Sequence, residues 1–129
     1  MMHKVLIVED DPIIQKLIEY RLNVLGYPVC GKAETGEEAI LCATNTNPDV
    51  ILMDINLKGI VDGIDAAEVI RKTLSARIIF LTGFTDDAII QRAKEVHPEG
   101  FIEKPFNDTD LRVALALART DPAPPIHPL

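Results

Sequence analysis

The sequence contains no tryptophan, two cysteines and no long apolar run. No stretch approaches the roughly 20 apolar residues that a helix needs to cross a bilayer, so we expect no membrane span. Cys30 and Cys42 form no CxxC pair, and no secretory leader precedes Val5, which predicts reduced, buried thiols in a cytoplasmic protein. The three histidines are scattered along the chain, which excludes a zinc-type ligand spacing.

Basic residues are scarce as well. The chain has 13 lysines and arginines but 20 aspartates and glutamates, which gives a formal net charge of −7. The chain has no cluster of basic residues, which is the usual electrostatic footprint of a protein that binds nucleic-acid phosphates. We therefore expect no direct contact with nucleic acid. A hydrophobic fraction of 47% over 129 residues is enough for one globular domain with its own core.

Short apolar runs recur at regular intervals and predict buried strands of a parallel sheet. The predicted strands are Val5 to Val8, Val29 to Ala33, Val50 to Met53, Arg77 to Thr82 and Gly100 to Glu103. Helices are predicted after the caps Asp11, Thr35 (a capping box with Glu38) and Asn107, and over about Gly63 to Leu74 and Asp86 to Val96. This alternation predicts an α/β, flavodoxin-like (βα)5 three-layer sandwich with strand order 2-1-3-4-5.

The last nine residues are rich in proline. Proline lacks a backbone N–H and cannot continue the preceding helix. We therefore expect a folded domain over residues 1–120, followed at 121–129 by a flexible tail or the start of a linker.

Acidic residues follow two of the predicted strands. Asp54 closes the third strand, and by itself it is equally consistent with a helix cap or a loop acid. Glu9 and Asp10 close the first strand, which the predicted order places beside the third. Carboxylates gathered at one rim repel each other unless a cation joins them, and an all-oxygen set suits Mg²⁺, with Mn²⁺ as the alternative.

The fourth and fifth strands lead to a hydroxyl, Thr82, and an ammonium, Lys104. Taken singly, each has a simpler interpretation: a β-branched residue at a strand end and a surface lysine. Together with the acids and a divalent cation, however, they supply the parts for phosphoryl transfer, with Asp54 as the nucleophile that forms an acyl phosphate. The joint arrival of these groups at one rim favours this function.

These residues, Glu9-Asp10, Asp54, Thr82 and Lys104-Pro105, resemble the signature of the receiver domain of two-component response regulators. The resemblance covers about residues 4 to 119. It implies that Asp54 accepts a phosphoryl group from a sensor histidine kinase or phosphotransfer protein, and that Lys104, preceding a cis peptide, binds phosphate. It also implies metal binding by Asp10 directly, by Glu9 mostly through water, and by the backbone carbonyl of Asn56.

The resemblance further implies a switch, in which Thr82 moves toward the phosphate and Phe101 fills the vacated space. Phe84 lies where the family controls water access, and its bulk predicts a long-lived phosphoryl group. By this resemblance, the loop after Asp54 is one residue longer than in common members, through Lys58-Gly59-Ile60. A homodimer through the fourth helix, fifth strand and fifth helix is a further expectation, although its candidate charges, Arg92, Lys94, Asp108 and Arg112, are better interpreted as solvated surface.

Two other functions compete with this one. A metal-dependent phosphohydrolase with an aspartate nucleophile needs a second acid two residues later, where this chain has Asn56. A flavin or nucleotide binder needs a glycine-rich loop after the first strand, where Glu9, Asp10 and Asp11 would repel phosphate. We therefore expect a signalling module that catalyses only its own phosphorylation and dephosphorylation.

Overall fold

The computed structural model of the protein describes residues 3–83, 86–120 and 123–126. Strands and helices alternate along the chain as β1 (Val5–Val8), α1 (Pro12–Leu25), β2 (Val29–Ala33), α2 (Gly36–Thr46), β3 (Val50–Asp54), α3 (Gly63–Arg71), β4 (Arg77–Thr82), α4 (Asp87–Lys94), β5 (Gly100–Glu103) and α5 (Asp108–Thr120). Four strands have their predicted bounds, and β3 extends one residue further to include Asp54. The short apolar runs therefore located the strands correctly.

The strands form one parallel sheet in the order β2-β1-β3-β4-β5, which confirms the predicted topology. Asp54 pairs with Leu81 at the end of β3, and Thr82 pairs with Glu103 at the end of β4. The carboxyl ends of the central strands therefore finish within about one residue of each other. This alignment brings the residues that follow the strands to one rim.

Helices cover both faces of the sheet and give three layers. On one face, side chains from α2, α3 and α4, including Ile64 and Ala93, pack in a fully buried core. On the other face, α1 and α5 contribute Ile18, Leu22 and Leu115 to a second buried core. Strand β3 lies between the two cores and is buried along its whole length, which explains its continuous apolar sequence.

Most predicted helix ends are confirmed. The Asp11 carboxylate accepts hydrogen bonds from the first turn of α1, and Gly26 ends that helix with a φ of 89°, in the left-handed region that glycine adopts freely. Asn107 and Asp110 cap α5 reciprocally. At α2, Thr35 Oγ1 accepts from the Glu38 N–H at 3.1 Å, but the Glu38 carboxylate contacts the Thr35 hydroxyl, so only half of the predicted capping box forms.

Helix α3 ends at Arg71, three residues before the predicted Leu74. After Arg71 the backbone makes tight-turn hydrogen bonds, from the Lys72 N–H to Val69 and from the Thr73 N–H to Ile70. The Arg71 side chain turns inward there and donates to three backbone carbonyls, those of Ala76, Val96 and His97. Helix α4 is also shorter than predicted, because Val96 and His97 make tight-turn hydrogen bonds and His97 has a φ of 57°. Apolar periodicity does not show where the backbone changes to tight-turn hydrogen bonds, so the sequence pattern predicted both helices too long.

Three smaller expectations concern the surface and the tail. Cys30 and Cys42 are free thiols, as predicted, but both are half-buried and not fully buried. In the tail, the Pro124 carbonyl accepts a hydrogen bond from the Ser75 hydroxyl, next to the start of β4. The flexibility of 121–129 stays a prediction. Within the described ranges, none of the helices has the length and hydropathy required to span a bilayer.

Candidate functional site

Asp54 stands at the end of the central strand β3 and is 4% exposed. Its Oδ1 accepts a hydrogen bond from the backbone N–H of Asn56 at 3.0 Å. Its Oδ2 accepts from Lys104 Nζ at 2.9 Å, which makes a largely buried ion pair. A nearly buried carboxylate is stabilised when such donors compensate for its lost hydration.

Glu9 lies beside it at the end of β1, 1% exposed, with its Oε1 2.7 Å from Lys104 Nζ. Burial and the neighbouring Asp54 carboxyl raise the pKa of Glu9 to about 7, against the opposing influence of Lys104. Burial alone would lower the pKa of Lys104, but its hydrogen bonds to Glu9 and Asp54 outweigh burial and raise it above its ordinary value. The lysine therefore serves as a shared counter-charge for two buried acids.

Asp10 completes an acidic cluster. One carboxylate oxygen each from Glu9, Asp10 and Asp54 lies within 4.8 Å of the others, a spacing that one cation can bridge. The donors are all oxygens, and Asp10 is half-buried at the open side of the rim, where waters can complete a coordination shell. This donor set fits Mg²⁺, which takes few carboxylates and keeps several waters.

Thr82 ends β4, 7% exposed, and its carbonyl accepts a 2.6 Å hydrogen bond from the backbone N–H of Lys104. The Lys104–Pro105 peptide is cis, as the family resemblance implied. These contacts place the hydroxyl-bearing residue and the lysine on neighbouring strands at the rim that holds Asp54.

Phe101, expected as a partly buried ring, lies on the edge strand β5 and is 39% exposed. Its ring lies 5.9 Å from the ring of Phe80, tilted by 36°. This partial exposure has a topological cause, because β5 has a strand neighbour on one side only. Phe84 lies outside the described residues.

The described site thus unites Glu9, Asp10, Asp54, Thr82 and Lys104 at the carboxyl ends of β1, β3, β4 and β5. A family model described as the response regulator receiver domain matches residues 5–116. The chain belongs to this receiver family.

Individual relatives agree with this assignment. The receiver shares 36% identity over 115 residues with the transcriptional regulatory protein PdtaR of Mycobacterium tuberculosis, covering 89% of this chain and 56% of the relative. It shares 37% over 122 residues with the probable transcriptional regulator ycf27 of Guillardia theta, covering 93% and 47%. The receiver therefore spans about half the length of these curated relatives.

Solved structures give the same fold. The signal receiver domain of a modulated diguanylate cyclase from Desulfovibrio desulfuricans superposes with a TM-score of 0.86 at 37% identity, covering 92% of this chain and 94% of that one. The chemotaxis protein CheY4 of Vibrio cholerae superposes with a TM-score of 0.79 at 31% identity, covering 90% and 98%. The receiver thus shares its fold with these proteins.

Sequence reasoning misassigned one charged residue. Arg92, interpreted as solvated surface, forms ion pairs with Asp62 and Asp65. Asp108, interpreted in the same way, does lie at the surface with its side chain 68% exposed, where it forms an ion pair with Arg21. The Asp62/Asp65 spacing matches that of a capping box, and this signal could have shown that the helix start was a structured site.

Proposed function

We propose that this receiver accepts a phosphoryl group on Asp54 from a sensor histidine kinase or phosphotransfer protein, with Mg²⁺ or Mn²⁺ held by Glu9, Asp10 and Asp54. The observation that carries the proposal is the position of Asp54, buried at the rim, hydrogen-bonded to Lys104, and within 4.8 Å of two further carboxylates. A lone loop acid has no such surroundings. Residues 1–120 form the receiver in this proposal, and 121–129 form a tail or linker.

In the transfer, a carboxylate oxygen of Asp54 attacks phosphorus as the bond to the donor nitrogen breaks, which forms an acyl phosphate. Lys104, already 2.9 Å from Asp54 Oδ2, neutralises charge on the phosphoryl oxygens, and the Thr82 hydroxyl donates to one of them. The bound cation supplies further charge neutralisation, and the Asn56 carbonyl adds a ligand to it.

The signal then leaves the site through a switch. Thr82 moves toward the phosphoryl group and Phe101, which already contacts Phe80 on the neighbouring strand, turns inward. The bulk of Phe84, two residues after Thr82 in the sequence, favours a long-lived acyl phosphate, so we expect Phe84→Ala to shorten its lifetime. Asn56 cannot act as a general acid or base, which supports storage of the phosphoryl group over the turnover expected of a phosphohydrolase.

The surface of α1 supports a helical phosphodonor partner. Ile13, Leu17, Tyr20 and Val24 are exposed at successive spacings of 4, 3 and 4, which is the spacing of a seam between paired helices. Helix α1 begins directly after Asp10 and Asp11, so a helix packed on this seam lies beside the rim. The partner's phosphorylated side chain is thereby brought toward Asp54.

A second surface supports contacts after phosphorylation. A groove of about 590 Å³ runs between β5 and α5 and includes Phe101, Val113 and Leu117. It belongs to the face of α4, β5 and α5 through which a homodimer was expected. We expected no direct contact with nucleic acid from the sequence. PdtaR and ycf27 are named as transcriptional regulators, so these relatives do not support that expectation.

Intact-mass measurement after incubation with Mg²⁺ and acetyl phosphate tests the proposal. We expect an adduct of roughly 80 daltons, absent in Asp54→Asn and retained in the matched variant Asp87→Asn on the exposed start of α4. Chelation of the metal abolishes the adduct. Rapid release of inorganic phosphate without an adduct would instead support the phosphohydrolase.

A further inference from the structure

The chain that leaves Asp54 returns to it at the start of α3. The Gly63 N–H donates to the Ile55 carbonyl at 3.1 Å, and a Cβ on Gly63 would lie 2.0 Å from the Asp54 carbonyl oxygen. On the other side, a Cβ on Gly36 would lie 2.4 Å from the Val61 carbonyl oxygen. Residues 61–63 therefore pack closely between α2 and the peptide of Asp54, with no space for a side chain at either glycine.

Ion pairs with Arg92 also hold this segment in place. Arg92 on α4 donates from Nη1 to Asp62 Oδ2 at 3.0 Å and from Nη2 to Asp62 Oδ1 at 3.1 Å. Nη2 also donates to Asp65 Oδ1 at 2.6 Å. Asp62 and Asp65 form the reciprocal cap of α3, so the guanidinium joins α4 to the cap itself. A bidentate guanidinium–carboxylate pair fixes orientation as well as distance.

The electrostatics of the cap agree with this geometry. Burial would raise the pKa of Asp62, but hydrogen bonds from the Arg92 guanidinium and the Asp65 backbone outweigh it and hold the pKa below its ordinary value. Hydrogen bonding to Asp62 raises the pKa of Arg92. Both partners therefore stay charged across the physiological pH range.

Helix α4 has few other contacts with the fold. Of the α4 side chains that the structure describes, Ala93 alone is buried, and Ile89 packs partly buried against the same core. Helices with few buried contacts are the elements of a protein that move at low free-energy cost. Arg92 is thus the main polar connection between a lightly packed helix and the segment that abuts Asp54.

We propose that Arg92 is a positioning residue for the phosphorylation of Asp54, acting from α4 through the Asp62–Asp65 cap and Gly63 on the Asp54 peptide. The inference rests on the proposed phosphorylation of Asp54. Arg92 does not touch Asp54 or the donor; it holds the loop whose Asn56 N–H orients Asp54 Oδ1.

The test compares Arg92→Gln with Lys94→Gln, which makes the same charge change on the same helix. Lys94 is exposed and makes no ion pair with any residue the structure describes. We expect Arg92→Gln to lower the maximal rate of Asp54 phosphorylation by acetyl phosphate about fivefold or more, with an unchanged half-saturating donor concentration. Lys94→Gln leaves both values unchanged, and Arg92→Lys, which keeps the charge but loses the bidentate geometry, restores part of the rate.

Asp65→Asn completes a double-mutant cycle, since asparagine retains an acceptor for the Asp62 N–H but loses the charge that faces Arg92. We expect the double variant to be no slower than Arg92→Gln alone. Amide hydrogen exchange of unphosphorylated protein gives a readout independent of phosphorylation: Asn56 and Gly63 exchange faster in Arg92→Gln than in Lys94→Gln. A purely structural ion pair would lower the stability of the protein but leave the maximal rate of the folded fraction unchanged.

The outcomes separate the two proposals. If wild-type protein gains the phosphoryl adduct and Arg92→Gln gains it at the same maximal rate, the positioning inference is wrong and the proposed function stands. If wild-type protein gains no adduct with Mg²⁺ and acetyl phosphate, the proposed function fails and the inference fails with it. Equal exchange at Asn56 and Gly63 in the two variants also overturns the inference.

Discussion

Strands β3 and β5 each bring one charge to the ion pair at the site, yet they are built very differently. All five residues of β3 are buried, and the strand pairs with β1 and β4. Of the four residues of β5, Ile102 alone is buried, and the strand pairs only with β4. Asp54 is thus placed by the core around its strand, whereas Lys104 reaches the acids from the sheet edge through a long side chain.

The difference separates a fixed half of the site from an adaptable half. The acids are held by strands whose displacement would open both cores. The edge half, which is β5 with Lys104, makes fewer contacts with the rest of the protein. Among them are the backbone hydrogen bond from Lys104 to Thr82 and the contact of Phe101 with Phe80. Conformational change is cheapest where few buried contacts must break, which favours the edge half as the responding element.

Two touching phenylalanines provide the strongest test of this contrast. Phe80 is fully buried on β4, and Phe101 is 39% exposed on β5. We expect Phe80→Ala to lower the free energy of unfolding by about 4 kcal/mol, because it opens a cavity, and Phe101→Ala to lower it by about 1 kcal/mol. Urea unfolding at constant m-value measures both. Equal losses would mean that β5 is as tightly packed as the interior.

Two glycines test the same contrast at the backbone. A Cβ at Gly63 would lie 2.0 Å from the Asp54 carbonyl oxygen, whereas a Cβ at Gly100 on β5 has no neighbour within 4 Å. We expect Gly63→Ala to cost about 3 kcal/mol or more, and Gly100→Ala to change stability by no more than about 0.5 kcal/mol. Thermal unfolding of the two variants measures both changes in stability. A tolerated Gly63→Ala would show that the segment beside Asp54 can yield.

The fixed half was also the more predictable from sequence. Buried strands need apolar runs, so the ends of β1 and β3, and hence Glu9 and Asp54, follow from composition and topology. The exposure of Phe101 and the partners of Arg92 could not be obtained in this way. The exposure of Phe101 depends on which edge of the sheet is left uncovered. The partners of Arg92 depend on hydrogen bonds between residues that are 27 to 30 positions apart in the sequence. Periodicity records burial on one element and contains no information on such pairings.

The smallest expected effect is a change of metal affinity with pH, which follows from the raised pKa of Glu9. Its pKa is raised to about 7 from an unfolded value near 4.5, so between these values the folded protein holds a proton that the unfolded chain has lost. Without metal, the contribution of Glu9 to stability therefore falls as pH rises from about 4.5 to 7. A cation requires the ionised carboxylate, so its binding releases this proton and strengthens as pH rises.

We expect the Mg²⁺ affinity to rise about tenfold between pH 6 and pH 8, since ionisation of a group with a pKa near 7 changes by that factor. Titration calorimetry at the two pH values measures it. Glu9→Gln removes most of the pH dependence, whereas Thr82→Ala, which removes no carboxylate from the site, leaves it in place. An affinity that is independent of pH in the wild-type protein would show that Glu9 is already ionised at pH 6, and that the Lys104 ammonium offsets its burial more strongly than the geometry indicates.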